Sequence, residues 1–481
     1  MPSSTTDLEV KTPTTAPGSV TSPVDRVGAP VVISGVVPTL AVKADHVPRS
    51  ETGIGALMPW AGKLWMVTYV AHTRTTGGGT GLFTVGDDLQ LEKHPASVVG
   101  TYANRLVHKE TDQLFIGPHV IDVEGNVRTI TELVDVRLTA TARHLTDPAG
   151  KVYVLGMEGE FFEVDARTLE VTQLFDLLEI LDVRGYPHFK DCYTRNGRVV
   201  VVNNSYYEQD FPTGESEGRL AEWDGQTWTT LARTQFNTLA GANGIGEAMY
   251  AVGQDRASAL LWVHLPSTGW KVYRLPKSTH TQDHAFTTEW PRIREVESER
   301  LLMDASGMFY ELPSLTYGDA VWGIRPISSH LRIVGDFCSW NGLLVLAGDQ
   351  TTPIFDGNPV AGQPQANLWF GKTDDLWGFG KPQGWGGPWW ESEVKAGVPS
   401  DPYLMTGFEH KCLHLENHGD QPVTVTVEID VRGHGRFART ARIEVPAGEL
   451  VTHVFPTGFS AHWVRLVSDC DSTVTGQLVY T

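Results

Sequence analysis

Between Ile54 and Trp390 short apolar runs alternate with tight polar turns in one unit repeated seven times. Each unit reads as a hydrophobic strand, a turn, a second hydrophobic strand and an outer hairpin. The inner pairs are ALMPWAGKLWMVTYV from Ala56, NRLVHKETDQLFIG from Asn104, RHLTDPAGKVYVLG from Arg143 and DCYTRNGRVVVVNN from Asp191. GANGIGEAMYAVGQ from Gly241, REVESERLLMDASG from Arg294 and DFCSWNGLLVLAGD from Asp336 complete the series. Turn residues (Gly, Asn, Asp, Glu) followed by Val/Leu/Ile/Met/Tyr runs predict antiparallel hairpins buried on both faces. The outer hairpins follow in step, from LFTVGDDLQLEKH in the first repeat to NLWFGKTDDLWGFG in the last. A spacing of about 40–50 residues matches four-stranded propeller blades. The pattern therefore predicts an all-β chain, a seven-bladed β-propeller followed by a small C-terminal β-sandwich.

Before the repeats, VVISGVVPTLAVK (residues 31–43) reads as a strand that closes the ring or plugs one end of it. After Ser400-Asp401-Pro402 the repeat stops, and KCLHLEN, VTVTVEIDV, ARTARIEV, LVTHVF, HWVRLVS and VTGQLVYT alternate as the strands of a sandwich. The expected division is a flexible tail over 1–30, a propeller over 31–399 and a sandwich over 400–481. Helix is scarce, with Leu174–Leu181 the best short candidate. In the sandwich, Trp463 and Phe459 read either as sugar-stacking residues or as strand-core positions, and their placement in strands favours the core.

Propeller topology sorts the polar residues between two faces. Turns inside the hairpins lie on one face; connections from strand two to three, and from one blade to the next, lie on the other. The hairpin turns carry ordinary solubilising residues. The opposite connections are expected to carry Asn104, Arg105, Arg143, His144, His188, Lys190, Asn243, His284 and Asp336 between blades. Within blades they carry His119, Glu158, Asn204, Tyr206, Tyr207, Asp255, Asp304 and Asp349. Three long insertions, AHTRTTGGGTG, NSYYEQDFPTGESEG and DQTTPIFDGNPVAGQPQ, fall on the same rim, where long loops on a rigid scaffold shape a pocket. The Gly77-Gly78-Gly79 run lacks the GK[ST] and helix of a phosphate loop.

Composition narrows the function classes. A formal charge of −19 argues against non-specific binding to nucleic acid or to an anionic membrane, and no apolar stretch approaches a membrane span. The first residues lack the basic start and apolar run of a secretory signal, so a cytoplasmic setting is expected. Four scattered cysteines without a CxxC pattern read as free thiols. No cofactor is required by the residue pattern; several histidines on one face leave a channel metal open as an alternative, although HxH and HExxH spacings are absent.

A funnel of His, Arg, Lys, Asn and Tyr suits an anionic, polyhydroxylated ligand, with a carboxylated sugar the best match. Once cations neutralise a uronate carboxylate, the C5 proton becomes acidic enough for a His or Tyr to remove. Hydrolysis instead needs a matched pair of carboxylates, and no pair among Glu158, Asp191, Glu208, Asp255, Asp304 and Asp349 stands out.

The segments ETGIGALMPWAGKLW, TYANRLVHKETDQLFIGPHVID and TARHLTDPAGKVYVLGMEGEFFEVD resemble the early blades of a group of seven-bladed propeller enzymes. These remove terminal L-rhamnose from D-glucuronate on arabinogalactan-type glycans, as L-rhamnose-α-1,4-D-glucuronate lyases or as related α-L-rhamnosidases. The resemblance covers the first three blades and is carried by no short motif. It implies an exo-acting enzyme in which a histidine handles protons and an arginine meets the glucuronate carboxylate. In the hydrolase branch the catalytic histidine lies early in the chain, a region in which this sequence has His46. The expected activity is thus elimination of L-rhamnose from a glucuronate on an oligosaccharide substrate. His144, His188 and Tyr206 are the proton-transfer candidates. Arg105, Arg143 and Lys190 would hold the carboxylate, and Asn104, His119, Asn204, Tyr207, Asn243 and His284 would recognise hydroxyls. A rhamnosidase-like exo-hydrolase and a propeller that only binds glycans are the alternatives.

Overall fold

The computed structural model describes residues 35–36, 40, 42–43, 52–70, 80–206, 216–241, 247–279, 291–297, 300–313, 316, 320–350 and 365–481. Seven antiparallel sheets follow one another along the chain, and the first six run in sequence order from their inner strand outward. Their inner strands are Thr52–Trp60, Arg105–His108, Leu138–Arg143, Phe189–Arg195, Gln235–Ala240, Arg292–Val296 and Ile333–Trp340. Each inner strand meets that of the next sheet, and the seventh meets the first. The result is a closed seven-bladed β-propeller. Between blades the core is aliphatic and aromatic: Val67, Leu82 and Phe115 join the first two, and Phe161, Val201 and Ala221 join the third and fourth.

Ring closure departs from the expected hairpin at NLWFGKTDDLWGFG. Only Gln365–Gly371 is a strand; Thr373–Gly378 is a 3-10 turn. The outer strand of the seventh blade comes instead from the N-terminal side, where Gly35–Val36 and Val42–Lys43 both pair with Gln365–Gly371. Leu40 and Val42 are buried beneath it. Each contributes on the order of 1.5–3 kcal/mol of burial that holds the closure. In the fifth blade the inner strand is Gln235–Ala240, so the pair predicted from Gly241 begins a few residues too late. The helix Leu177–Ile180 falls inside the predicted stretch, with the Asp176 side chain accepting from Leu178 N at its start.

The C-terminal strands form two sheets packed face to face. One contains Gly384–Val394, paired with Ser472–Tyr480. The Trp/Gly-rich stretch read as the end of the propeller is therefore a sandwich strand, and the sandwich starts before the expected boundary at 400. The other sheet continues edge to edge from the fifth blade through the parallel pairing of Arg274 with Tyr403. Arg274 fastens this seam, with Nε 2.9 Å from Asp401 Oδ2 and Nη1 2.8 Å from Asp255 Oδ2. Trp463 is buried, its indole N–H donating to Val321 O at 3.0 Å, so it joins sandwich to propeller and offers no face to a sugar.

Candidate functional site

The inner strands are not regular. Register shifts place a β-bulge at Gly55 in the first blade, Thr139 in the third, Lys190 in the fourth, Asn237 in the fifth and Gly335-Asp336 in the seventh. A bulge leaves a residue out of the ladder and re-aims its side chain. In three places the preceding blade caps the strand two residues past its bulge. Asp336 Oδ2 accepts from Leu57 N at 2.9 Å, and Asp191 Oδ2 accepts from Leu239 N at 2.8 Å. Asn104 Nδ2 donates to Thr141 Oγ1 at 2.8 Å and to Gly117 O at 2.9 Å. Asn104, Asp191 and Asp336 are thus staples between neighbouring blades.

Charge gathers around the channel. Arg105 Nε lies 2.8 Å from Asp336 Oδ2, and Arg294 Nε lies 2.7 Å from its Oδ1. Arg292, fully buried, donates from Nε to Gly335 O at 3.0 Å. Burial pushes the Asp336 carboxyl up, but Arg105, Arg294 and Arg292 outweigh it and hold it below the usual carboxylate range. Among the described residues no cation pairs as closely with Asp191, and burial holds its pKa above the ordinary value against the pull of Arg292. Burial and the neighbouring Arg294 push Arg292 down to about 10. Lys190, at the bulge of the fourth blade's inner strand, is buried next to Asp191 in the chain.

On the fourth blade the inner hairpin extends past its bulge onto the connection face. Tyr186 bridges to Tyr206, with backbone bonds of 2.9 and 3.3 Å, and Asn204 N donates to His188 O at 3.1 Å. Directly opposed residues share a sheet face, as do residues two apart. Tyr186, His188, Asn204 and Tyr206 therefore stand on one side of this hairpin, and the two tyrosine rings lie 5.5 Å apart at 36°. Tyr186 is exposed and His188 half-buried. Ser205 Oγ accepts from His188 N at 2.9 Å, fixing the backbone from which the imidazole projects.

The other predicted residues do not join this group. Arg143 ends an inner strand and His144 begins the hairpin turn, so both lie on the opposite face from the one predicted. His144 Nδ1 accepts from Thr146 N and Asp147 N at 3.2 and 2.9 Å, which leaves the proton on Nε2 to be donated to Glu163 Oε2 at 2.8 Å. With both nitrogens engaged and the ring 4.4 Å from that of Tyr153, His144 is a turn-organising residue. Arg143 pairs with Glu110. His119 is fully buried with Nδ1 3.1 Å from Thr129 Oγ1, and burial lowers its pKa to about 4, so it is a neutral interior group. Arg105 is committed to Asp336 and Asn104 to its staple. Tyr207, Asn243, His284 and His46 lie outside the described residues, as do the inserted segments 71–79, 207–215 and 351–364.

Three of the carboxylates predicted for the connection face are occupied, whereas the buried Glu160 Oε2 at the start of Glu160–Asp165 has no hydrogen-bond partner among the described residues. Glu158 Oε1 accepts from Arg137 Nε at 2.7 Å, Asp255 is held by Arg274, and Asp304 Oδ1 lies 2.9 Å from His330 Nε2. No group of three or more His, Cys, Asp or Glu residues able to hold a metal occurs among the described residues. Sequence reasoning missed Tyr186, Arg292 and Arg294. The last two were legible only as the polar first and third residues of an inner strand, and the bulges that aim the neighbouring groups have no sequence signature of their own.

No family model matches the chain, and no curated protein matches it. Among solved structures, the WD40 repeats of RRP9 are similar with a TM-score of 0.39 and 8% identity, over 70% of this chain and 99% of that one. A luciferin-regenerating enzyme gives 0.36 and 11%, over 56% and 90%, and a chain of the mitotic checkpoint complex gives 0.39 and 10%, over 76% and 100%.

Proposed function

We propose that the connection face of the propeller binds an anionic glycan and eliminates terminal L-rhamnose from D-glucuronate, with His188 and Tyr206 as the proton-transfer pair. The observation that carries this reading is the grouping of Tyr186, His188, Asn204 and Tyr206 on one hairpin face at the connection end of the fourth blade. Lys190, nearest in the chain, would meet the uronate carboxylate and stabilise the enolate-like charge that develops on it. His188 would take the C5 proton; the C5–H electrons form the C4–C5 double bond as the C4–O bond breaks. Tyr206 would protonate the departing oxygen, releasing rhamnose and an unsaturated uronate. Asn204 would hold a sugar hydroxyl.

Hydrolysis is the second reading, but Glu158, Asp255 and Asp304 are each held by a cation or a histidine. The test is incubation of the full-length protein with a rhamnose-capped glucuronate oligosaccharide, following ultraviolet absorbance and released sugar together. Absorbance rising with free rhamnose supports elimination. Rhamnose without absorbance would replace it with hydrolysis, and binding without either product would make the propeller a glycan receptor.

A further inference from the structure

Away from the channel, three elements meet where the chain leaves the propeller for the sandwich: the outer strand Arg325–Ser329 of the sixth blade, the 3-10 turn Thr373–Gly378, and the sandwich turn at Gly407. They enclose a cleft of about 220 Å³ lined chiefly by Arg325, Pro326, Ile327, Trp377, Lys381 and Pro382. Junctions between structural units are favoured places for ligands, and this volume lies below the ~300–1,000 Å³ of pockets for drug-sized molecules. It suits one ring. Gly407, at φ +89°, is required here, because a Cβ would lie 2.5 Å from the Pro326 ring.

The two cations at the cleft differ. Lys381 is tied to Glu409. The Arg325 guanidinium lies over the Trp377 ring, 4.8 Å from its centroid, and among the described residues it has no carboxylate partner. Stacking restrains a guanidinium while leaving its in-plane N–H donors available to a carboxylate in the two-pronged geometry. Trp377 remains 45% exposed, so part of its ring is open to apolar contact.

We propose that this cleft is a second binding site for the carboxylate-bearing ring of a uronate glycan, with Arg325 as the carboxylate partner and Trp377 as the apolar wall. The choice of a uronate over other carboxylates rests on the reading of the channel mouth given above. The full-length protein labelled with 5-fluorotryptophan tests it by ¹⁹F NMR, the Trp377 signal being the one missing from W377F. Methyl β-D-glucuronide should shift that signal saturably while methyl β-D-glucoside does not. The response should persist in H188A, weaken at least tenfold in R325A, and be only partly kept in R325K, which retains charge but loses the fork. Absence of any shift, an equal response to the glucoside, or a response lost in H188A but intact in R325A would overturn the proposal. A protein that turns over no rhamnosyl glucuronate yet keeps the Arg325-dependent shift would fail the channel reading and retain the cleft.

Discussion

At the residue scale, the structure separates histidines that the sequence treats alike. His144→Ala should leave turnover on a rhamnosyl glucuronate near that of the parent while lowering stability by about 1–2 kcal/mol, because the turn N–H groups lose their acceptor. His188→Ala should lower kcat by about 10²–10⁴ with stability little changed, and equal loss in both variants would sink the assignment. Asp336→Asn should cost about 3–5 kcal/mol in urea unfolding, since it leaves Arg105 and Arg294 buried without their counter-charge. Asp191→Asn should cost clearly less, because burial already favours the protonated form there and Asn keeps an acceptor oxygen for Leu239 N. His119 and His462 titrate in the same sense, burial lowering each to about 4. The unfolded chain binds their protons near pH 6.5, so their stabilisation is complete above that value and falls away from about pH 6.5 to 4. Urea midpoints measured across this window should fall with pH, and the slope should flatten in His119→Gln; an unchanged slope would remove His119 from the account.

At the element scale, the bulged inner strands are packed too closely to accept side chains at their glycines. A Cβ on Gly55 would lie 2.2 Å from Tyr102 O, and one on Gly335 would lie 2.3 Å from Ile54 O. Both contacts are with backbone, which cannot swing aside. Gly335→Ala should therefore destabilise by at least about 1–3 kcal/mol, more than Gly342→Ala, whose Cβ would meet nothing within 4 Å. Gly342 sits at φ +76°, so the control is itself mildly strained, and the comparison is of two costs. Removal of residues 1–43 should open the ring, expose the edge of Gln365–Gly371 and favour aggregation. Size-exclusion profiles of the shortened and full chains check this, and a monodisperse monomer of undiminished thermal stability would show that closure needs no outer strand.

At the scale of the molecule, the sandwich and propeller share one sheet and one apolar cluster, in which Tyr250 and Tyr310 of the propeller pack with Tyr403 and Leu404 of the sandwich. Scanning calorimetry should accordingly show one cooperative transition. Two well-separated peaks would mean that the seam through Arg274 and Tyr403 transmits little. The same seam explains why Trp463 does not display a sugar-binding face: the tryptophan is spent on the join.

What the sequence determined by itself was the repeat. Alternation of apolar strands with polar turns is local, and it specified the blades, most inner hairpins, the short helix at Leu177–Ile180 and the strands of the terminal sandwich. The sorting of polar residues into two faces was legible wherever strand ends were placed correctly, as at His188, Lys190, Asn204 and Tyr206. It failed at Arg143 and His144, where the inner strand was placed after Arg143 instead of before it; a shift of one strand carries its end residues to the opposite face. Only the tertiary structure decided which charges are consumed. Arg105 meets Asp336, 231 positions away in the chain, and Leu57 meets the same carboxylate from 279 positions away. Pairings across the ring follow from closure of the propeller, and no local pattern of residues encodes them.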